Sequence, residues 1–138
     1  MTGVDFHAGA ADKLNYAARL VRKAVATGKR VTVTAGDDEL RAFDDTLWTF
    51  AALDFTPHVF ADSPLAGRTP VVLAPDARSA AACEVLVNLG GEVPLGFERY
   101  ERLIELVSTT EPDLEAGRNR YKYYRERGYP LSKHDIDS

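Results

Sequence analysis

Hydrophobic residues recur at two different periods along the chain and predict alternating helices and strands. Residues 11–27 carry apolar side chains at helical spacing and are followed by Gly28, a residue that commonly ends helices. Residues 30–36, RVTVTAG, alternate and are rich in β-branched side chains, which predicts a strand. Asp37 then begins a second helix, whose first turn is acidic and whose apolar side chains again step by three and four positions. Further strands are predicted at residues 4–9, 58–60, 69–74 and 83–90.

The C-terminal part of the chain continues this alternation. The apolar positions of residues 102–107, RLIELV, fit both the period of a helix and that of a strand. We favour a strand there because a short helix at residues 96–100 could precede it. Residues 111–127 have a helical pattern, and residues 130–138 are predicted to be a polar tail that is frayed or loosely docked. We therefore predict the α/β class: a single Rossmann-like domain over residues 1–138, with a mainly parallel sheet flanked by helices and a C-terminal basic helix.

Composition limits where such a domain would work. The chain is 45% apolar and 28% charged, as in ordinary soluble domains. Its apolar runs, such as residues 71–74, are too short to span a bilayer, and its N-terminus has no apolar signal core, so we expect a cytoplasmic protein. The single cysteine, Cys83, cannot form a disulfide within this sequence, and its apolar neighbours predict a small buried side chain.

A Rossmann-like sheet often belongs to an enzyme, but this sequence has none of the usual phosphate-binding motifs. After the second strand the sequence AGDDEL has one glycine and two acids, where a phosphate-binding loop needs several glycines and no negative charge. The three histidines lack the spacing of a metal site, and we expect neither a metal nor a cofactor. His7 with Asp5 is the best catalytic candidate, although such residues at strand ends are more often solvated or capping groups.

Positive charge is concentrated in one segment of this acidic chain. Residues 118–127 contain five basic residues and one acid, a local charge of +4, whereas the whole chain carries −4. Any anionic partner should therefore be steered to this segment. On a helical wheel, one side is apolar and aromatic, and three cations follow one of its borders while two lie on the opposite border. The first three are Arg118, Lys122 and Arg125, and the other two are Arg120 and Arg127.

Two ligands suit an aromatic stripe beside cations. The cations could hold the carboxylates of an acidic peptide end while the apolar stripe accepts its hydrophobic side chain. The same residue types could instead contact phosphates and stack on bases of a single-stranded nucleic acid. A third interpretation gives the helix no ligand, with tyrosines covering the sheet and cations solvated. Composition alone does not separate these interpretations.

The order of several sequence fragments resembles a known family, the chi subunit of bacterial DNA polymerase III holoenzyme. The fragments are VDFH near the start, GKRVTVTAGDDELRAFDDTLWTF (28–50), FTPH (55–58), EVLVNLG (84–90) and RYKYYRERGYPL (120–131). Together they extend over almost the whole chain. The resemblance implies an accessory subunit of the clamp loader that takes part in DNA replication and has no catalysis of its own.

The resemblance also implies two protein partners. One is the acidic C-terminal tail of single-stranded-DNA-binding protein, which ends in a phenylalanine carboxylate. By motif position, the tail-binding residues should be Arg118, Tyr121, Lys122, Arg125 and Val107. One relative in this family carries a basic residue in the first turn of this helix, where the present chain has Leu114 among acids. Contact with DNA is then expected to be indirect, and the two cations on the opposite border of the wheel should be largely dispensable for the tail.

The second implied partner is psi, another small clamp-loader accessory subunit with which a heterodimer is expected. The corresponding residues are Trp48, Phe55, Pro57 and His58. From the sequence alone, a tryptophan at the end of an apolar helical face is more typical of a core position, and it is the family resemblance that brings the interface interpretation level with it. Two other classes of function stay open beside the adaptor: a protein that binds single-stranded nucleic acid directly, and a nucleotide-dependent enzyme.

Overall fold

A computed structural model describes residues 1–49, 56–80 and 84–136 of the chain. The strands are β1 (Gly3–Ala10), β2 (Val31–Thr34), β3 (His58–Phe60), β4 (Val71–Ala74), β5 (Val85–Asn88), β6 (Arg102–Ser108) and β7 (Leu131–Asp135). The α-helices are α1 (Lys13–Ala26), α2 (Asp37–Thr49) and α3 (Glu111–Glu126), and short 3₁₀ helices span Ala66–Arg68 and Phe97–Arg99. The strands and helices predicted from hydrophobic period are confirmed, including the strand at residues 102–107.

The seven strands of the described part form one sheet in the order β3-β4-β2-β5-β6-β1-β7. Every pairing in this sheet is parallel. Parallel strands need crossover connections, and the chain supplies them by placing helices on both faces. The α/β class and the Rossmann-like architecture predicted from the sequence are thus confirmed.

Alternating side chains of the central strands divide the core into two layers. On one face, α1 and α2 pack against the sheet through Val21, Phe43 and Leu47. On the other face, α3 packs Tyr124 against Leu103 and its neighbours. The split follows from strand period, because successive residues of a strand point to opposite faces.

The last strand differs from the sequence prediction for residues 130–138. Instead of a loose tail, Leu131–Asp135 pairs in parallel with β1 and forms an edge of the sheet. Backbone hydrogen bonds hold both ends of this pairing: the Val4 amide donates to the Pro130 carbonyl at 2.9 Å, and the Ile136 amide donates to the Ala8 carbonyl at 2.8 Å. Because backbone groups hold it and only Leu131 is partly buried, the hydrophobic pattern of β7 is too weak to reveal a strand.

The start of α3 is fixed by Asp113. Its carboxylate accepts hydrogen bonds from the Ser108 amide at 2.7 Å and from the Lys13 ammonium at 3.1 Å. Burial alone would raise the pKa of Asp113, but the Ser108 amide and the Lys13 charge outweigh burial and hold that pKa below its usual value. One side chain therefore ties together the end of β6, the start of α1 and the first turn of α3.

None of the helices in the described ranges is long and apolar enough to cross a membrane. Cys83, predicted to be buried, lies outside the described residues.

Candidate functional site

A groove of about 540 Å³ lies between α3 and the sheet edge formed by β1, β6 and β7. Its floor is apolar and its rim carries four cations. The lining residues are Phe6, Ala8, Val107, Leu114, Gly117, Arg118, Tyr121, Lys122, Arg125 and Lys133. All five residues that the sequence analysis assigned to tail binding are among them, so the structure brings those residues together at one place.

The depth of the groove depends on how closely α3 approaches β6. Gly117 faces Val107 so closely that a Cβ atom at position 117 would lie 2.8 Å from Val107 Cγ2. Real side chains do not approach to that distance without displacement, so glycine permits this contact. Beside it, the Tyr121 ring meets Phe6 edge-on, with ring centroids 5.3 Å apart. These contacts form a closely packed apolar floor.

A buried polar cluster fixes the orientation of α3 beneath the groove. Glu105, in the middle of β6, is fully buried and accepts hydrogen bonds from Arg120 Nε at 3.0 Å, Asn88 Nδ2 at 2.9 Å and the Tyr124 hydroxyl at 2.6 Å. Arg120 also donates to the Gly91 carbonyl at 2.9 Å. A buried charge is tolerated when it is paired and hydrogen-bonded, as both members of this pair are.

Burial governs the protonation of the groups in this cluster. It raises the pKa of the Glu105 carboxyl, and the Arg120 guanidinium acts in the opposite direction. Burial, followed by the Glu105 charge, raises the pKa of Tyr124 far above its usual value. The Tyr124 hydroxyl therefore remains a hydrogen-bond donor.

Arg120 departs from the helical-wheel interpretation. The wheel placed it with Arg127 on the border of the aromatic side opposite Arg118, Lys122 and Arg125. In the structure only 2% of Arg120 is exposed, and it lies under the helix against Glu105. Its neighbours Gly117 and Tyr124, three positions before and four after, face the sheet as well. The sequence does contain a signal for this ion pair: Glu105 lies within the apolar segment RLIELV. A carboxylate buried in such a strand needs a cation or hydrogen-bond donors as partners.

The groove cations are exposed and sparsely neutralised. Within the described ranges, Arg118, Arg125 and Lys133 have no carboxylate within 4.0 Å, and Lys122 is 3.9 Å from Glu126. Exposed ion pairs at such a distance contribute little, so all four cations can meet an anionic ligand. Lys133 was missed by the sequence analysis because only the pairing of β7 with β1 brings it to the groove.

The end of α3 is set by a glycine in the left-handed region. Gly128 has φ of +79°, its amide donates to the Arg125 carbonyl at 3.1 Å, and the Tyr129 amide donates to the Tyr124 carbonyl at 3.1 Å. This pair of bonds is a Schellman motif, which redirects the chain after a helix. The turn returns the chain to the sheet so that β7 can form the second wall of the groove.

Trp48, Pro57 and His58, three of the four residues assigned to psi, lie at the other edge of the sheet. Trp48, at the end of α2, is 58% exposed, and its ring meets His58 edge-on with centroids 5.3 Å apart. His58 is buried, and its two ring nitrogens lie 2.7 Å from the Thr56 carbonyl and 2.9 Å from Asp44. Pro57 is exposed, whereas Phe55 lies outside the described residues. The structure thus brings Trp48 and His58 together and leaves the tryptophan at the surface.

The candidate catalytic pair does not form. Asp5 accepts from Arg102 at 2.7 Å, whereas His7 is hydrogen-bonded through Nδ1 to the Tyr16 hydroxyl. Both side chains belong to a strand interior and have other partners. Within residues 1–49, 56–80 and 84–136, no cluster of three or more His, Cys, Asp or Glu is arranged to hold a metal ion.

The fold and the groove define a class of protein: a Rossmann-like α/β domain with an apolar, cation-rimmed binding groove at a helix–sheet junction. The chain belongs to the family described as DNA polymerase III chi subunit, HolC, whose family model matches residues 1–132. This family is an accessory subunit of the polymerase in DNA replication.

Three relatives carry the name DNA polymerase III subunit chi. The chain is 33% identical to the Pseudomonas aeruginosa protein over 141 residues, which cover 99% of this chain and 98% of that protein. It is 31% identical to the Escherichia coli K12 protein over 109 residues, 77% of this chain and 74% of that protein. A Haemophilus influenzae relative is 26% identical over 113 residues, 80% of this chain and 78% of that protein.

Proposed function

We propose that the protein is a non-catalytic accessory subunit of the DNA polymerase III holoenzyme that binds the acidic C-terminal tail of single-stranded-DNA-binding protein in the groove between α3 and the sheet. The observation that carries the proposal is the convergence of Arg118, Tyr121, Lys122, Arg125 and Val107 on one apolar floor with a cationic rim. An aromatic residue with a terminal carboxylate matches this combination, because the ring needs an apolar surface and the carboxylates need cations.

The second part of the proposal is a bridge to the clamp loader. Psi would bind at the surface around Trp48, whose ring meets the buried His58 edge-on, and the family resemblance assigns Phe55 and Pro57 to the same contact. An exposed tryptophan is typical of the centre of an interface. The protein would then act as a heterodimer with psi in the cytoplasm, at the replisome, and would contact DNA only through single-stranded-DNA-binding protein.

Weak binding of each tail suffices in such an arrangement. Single-stranded DNA coated with its binding protein displays several tails, and simultaneous or rapid successive engagement raises the effective concentration of the ligand. Part of the attraction is electrostatic, so the affinity for one tail should fall as the salt concentration rises.

Titration with a short acidic peptide that ends in phenylalanine tests the proposal. The wild-type protein should bind it at low salt, and Arg118→Ala or Lys122→Ala should abolish binding without unfolding the protein, because both side chains are exposed. Lys23→Ala, an exposed charge on α1 at the opposite face, is the matched control. A folded wild-type protein that did not bind the peptide at low salt would contradict the proposal.

Other ligands and other substitutions separate the two remaining classes of function. A direct binder of single-stranded nucleic acid should retain a bare oligonucleotide and lose it when Tyr121 is substituted. A nucleotide-dependent enzyme should be stabilised thermally by a nucleotide, with an effect that depends on Asp37 or Asp5. The overall negative charge of the chain opposes direct nucleic-acid binding, and Asp5 is engaged by Arg102.

A further inference from the structure

The groove has a second charged wall on β7, opposite the cations of α3. Lys133 is paired in register with Phe6 of β1, whose ring forms part of the floor. Leu131, two residues earlier on the same strand, packs into the core layer beneath α3, so Lys133 points to the same side. The floor formed by Phe6 and Ala8 therefore runs between cations of two separate elements.

The charges at the start of α3 give the groove a polarity. Glu111 and Glu115 are exposed acids in the first turns of this helix, where Leu114 reaches the groove, whereas the charge of Asp113 is balanced by Lys13. Acidic ligand residues are repelled at this end and attracted at the other, where Arg125 and Lys133 lie. The apolar contacts offered by Val107, Leu114 and Gly117 are at the acidic end, and they suit a ring without charge.

We propose that the acidic residues preceding the terminal aromatic residue of the peptide lie between Lys133 on β7 and Arg125 on α3, while the aromatic ring lies towards Val107 and Leu114. Lys133 is then a specificity-determining residue, and β7 is a wall of the binding site. This inference rests on the proposed function, since it assigns the direction and the charge contacts of the same ligand. In this arrangement Arg118 and Lys122, midway along the groove, hold the terminal carboxylate.

Lys133 is suited to this role because it has no competing partner. In the described part of the chain, no carboxylate lies within 4.0 Å of its ammonium group, and its side chain is exposed. Removing its charge leaves the core and the backbone pairing of β7 intact, because the strand is held through Pro130, Ala8 and Leu131. A loss of affinity in such a variant therefore reports on the ligand.

Peptide titration at low salt tests the inference with two peptides of equal length, both ending in phenylalanine. One carries aspartates before the phenylalanine and the other carries asparagines at those positions. Lys133→Gln should weaken the aspartate peptide about two- to fivefold, the range of an exposed ion pair, and leave the asparagine peptide unchanged. Lys23→Gln, on α1 at the opposite face, should change neither.

The outcomes separate the inference from the function on which it rests. Arg118→Gln should weaken both peptides, since both keep the terminal carboxylate. Equal affinity of Lys133→Gln and wild type for the aspartate peptide, with Arg118→Gln weakened, would overturn the role of Lys133 and leave the proposed function standing. Absence of wild-type binding to either peptide would overturn both.

Discussion

At the scale of single residues, buried charge on α3 has a structural role that is separate from ligand binding. Arg120 and Glu105 form an ion pair of which 2% and none of the respective side chains is exposed. Arg120, which is buried within α3, and Arg127, the exposed residue that follows this helix, should therefore differ in what their loss does to stability. This contrast gives the first prediction.

Arg120→Ala should lower the free energy of unfolding by about 3–5 kcal/mol, because it leaves the Glu105 carboxylate buried without its cation. Arg127→Ala, the matched control, should cost less than about 1 kcal/mol, since Arg127 is exposed over the Tyr123 ring. Urea unfolding measures both. Replacing both charges at once, as in Arg120→Met with Glu105→Gln, should recover part of the loss, and equal effects of Arg120→Ala and Arg127→Ala would contradict the buried pair.

Whether an alanine at position 117 stabilises or destabilises the protein should depend on the side chain at position 107, which faces Gly117. In the wild-type chain, Gly117→Ala should destabilise the protein, because overpacking against Val107 costs about 1–3 kcal/mol and alanine returns at most about 1 kcal/mol of helix propensity. In a Val107→Ala background the clash is removed, so Gly117→Ala should become stabilising. Thermal unfolding of the four proteins in this cycle checks the reversal. Additive effects would show that the helix does not rest on Val107.

At the scale of elements, the sequence predicts those strands and helices that bury an apolar face. It does not predict a strand that buries almost no apolar side chain. The strands β2 and β4 are buried at every position and read as strands from their β-branched runs. In contrast, β7 has the sequence LSKHD, and backbone pairing with β1 holds it at the edge. The same limit applies to the groove. Its α3 residues could be predicted from the helical wheel and the family resemblance. Lys133 could not, because only the pairing of β7 with β1 shows that it lies beside the groove.

The pairing of β7 with β1 should depend on pH. His7 lies opposite His134 across the two strands, with ring centroids 5.1 Å apart, and Arg102 and Lys133 line the same cavity as both rings and Asp5. Burial and then the His134 charge lower the pKa of His7 from its ordinary value of 6.5. The unfolded chain therefore binds a proton more readily than the folded one.

From this sign we predict that the free energy of unfolding declines as the pH falls from about 6.5 towards the lowered pKa of folded His7. His7→Gln should flatten the decline in that window. Urea unfolding at a series of pH values between 7.5 and 5 checks both statements. A wild-type stability that does not change across this window would contradict the assignment of His7 as a neutral group in the folded state.

At the scale of the whole molecule, the two candidate surfaces lie at opposite edges of one sheet. Trp48 contacts His58 on β3, and Lys133 lies on β7, with five strands between these two. Six strand spacings of about 4.8 Å separate the edges by roughly 29 Å. The helices involved, α2 and α3, also pack on opposite faces of the sheet. Psi and the peptide tail should therefore bind at the same time.

Independence of the two surfaces can be measured. Trp48→Ala should weaken psi binding and leave the affinity for the acidic peptide unchanged, whereas Arg118→Ala should do the reverse. Gel filtration and peptide titration of each variant report the two affinities, and a ternary complex should form with wild type. Loss of peptide binding in folded Trp48→Ala would show that the surfaces are coupled through the sheet.

The parallel sheet also has a mechanical consequence. If one edge strand is anchored to the clamp loader and the other holds a tail on coated DNA, tension between these partners acts perpendicular to the strands. The load then passes from strand to strand through the backbone hydrogen bonds of the sheet. It pulls along these bonds, so they break one after another. A force along the strands would instead load all bonds of a pairing at once. Force spectroscopy with handles at the two edges should accordingly find a lower unfolding force than with handles at the two ends of one strand.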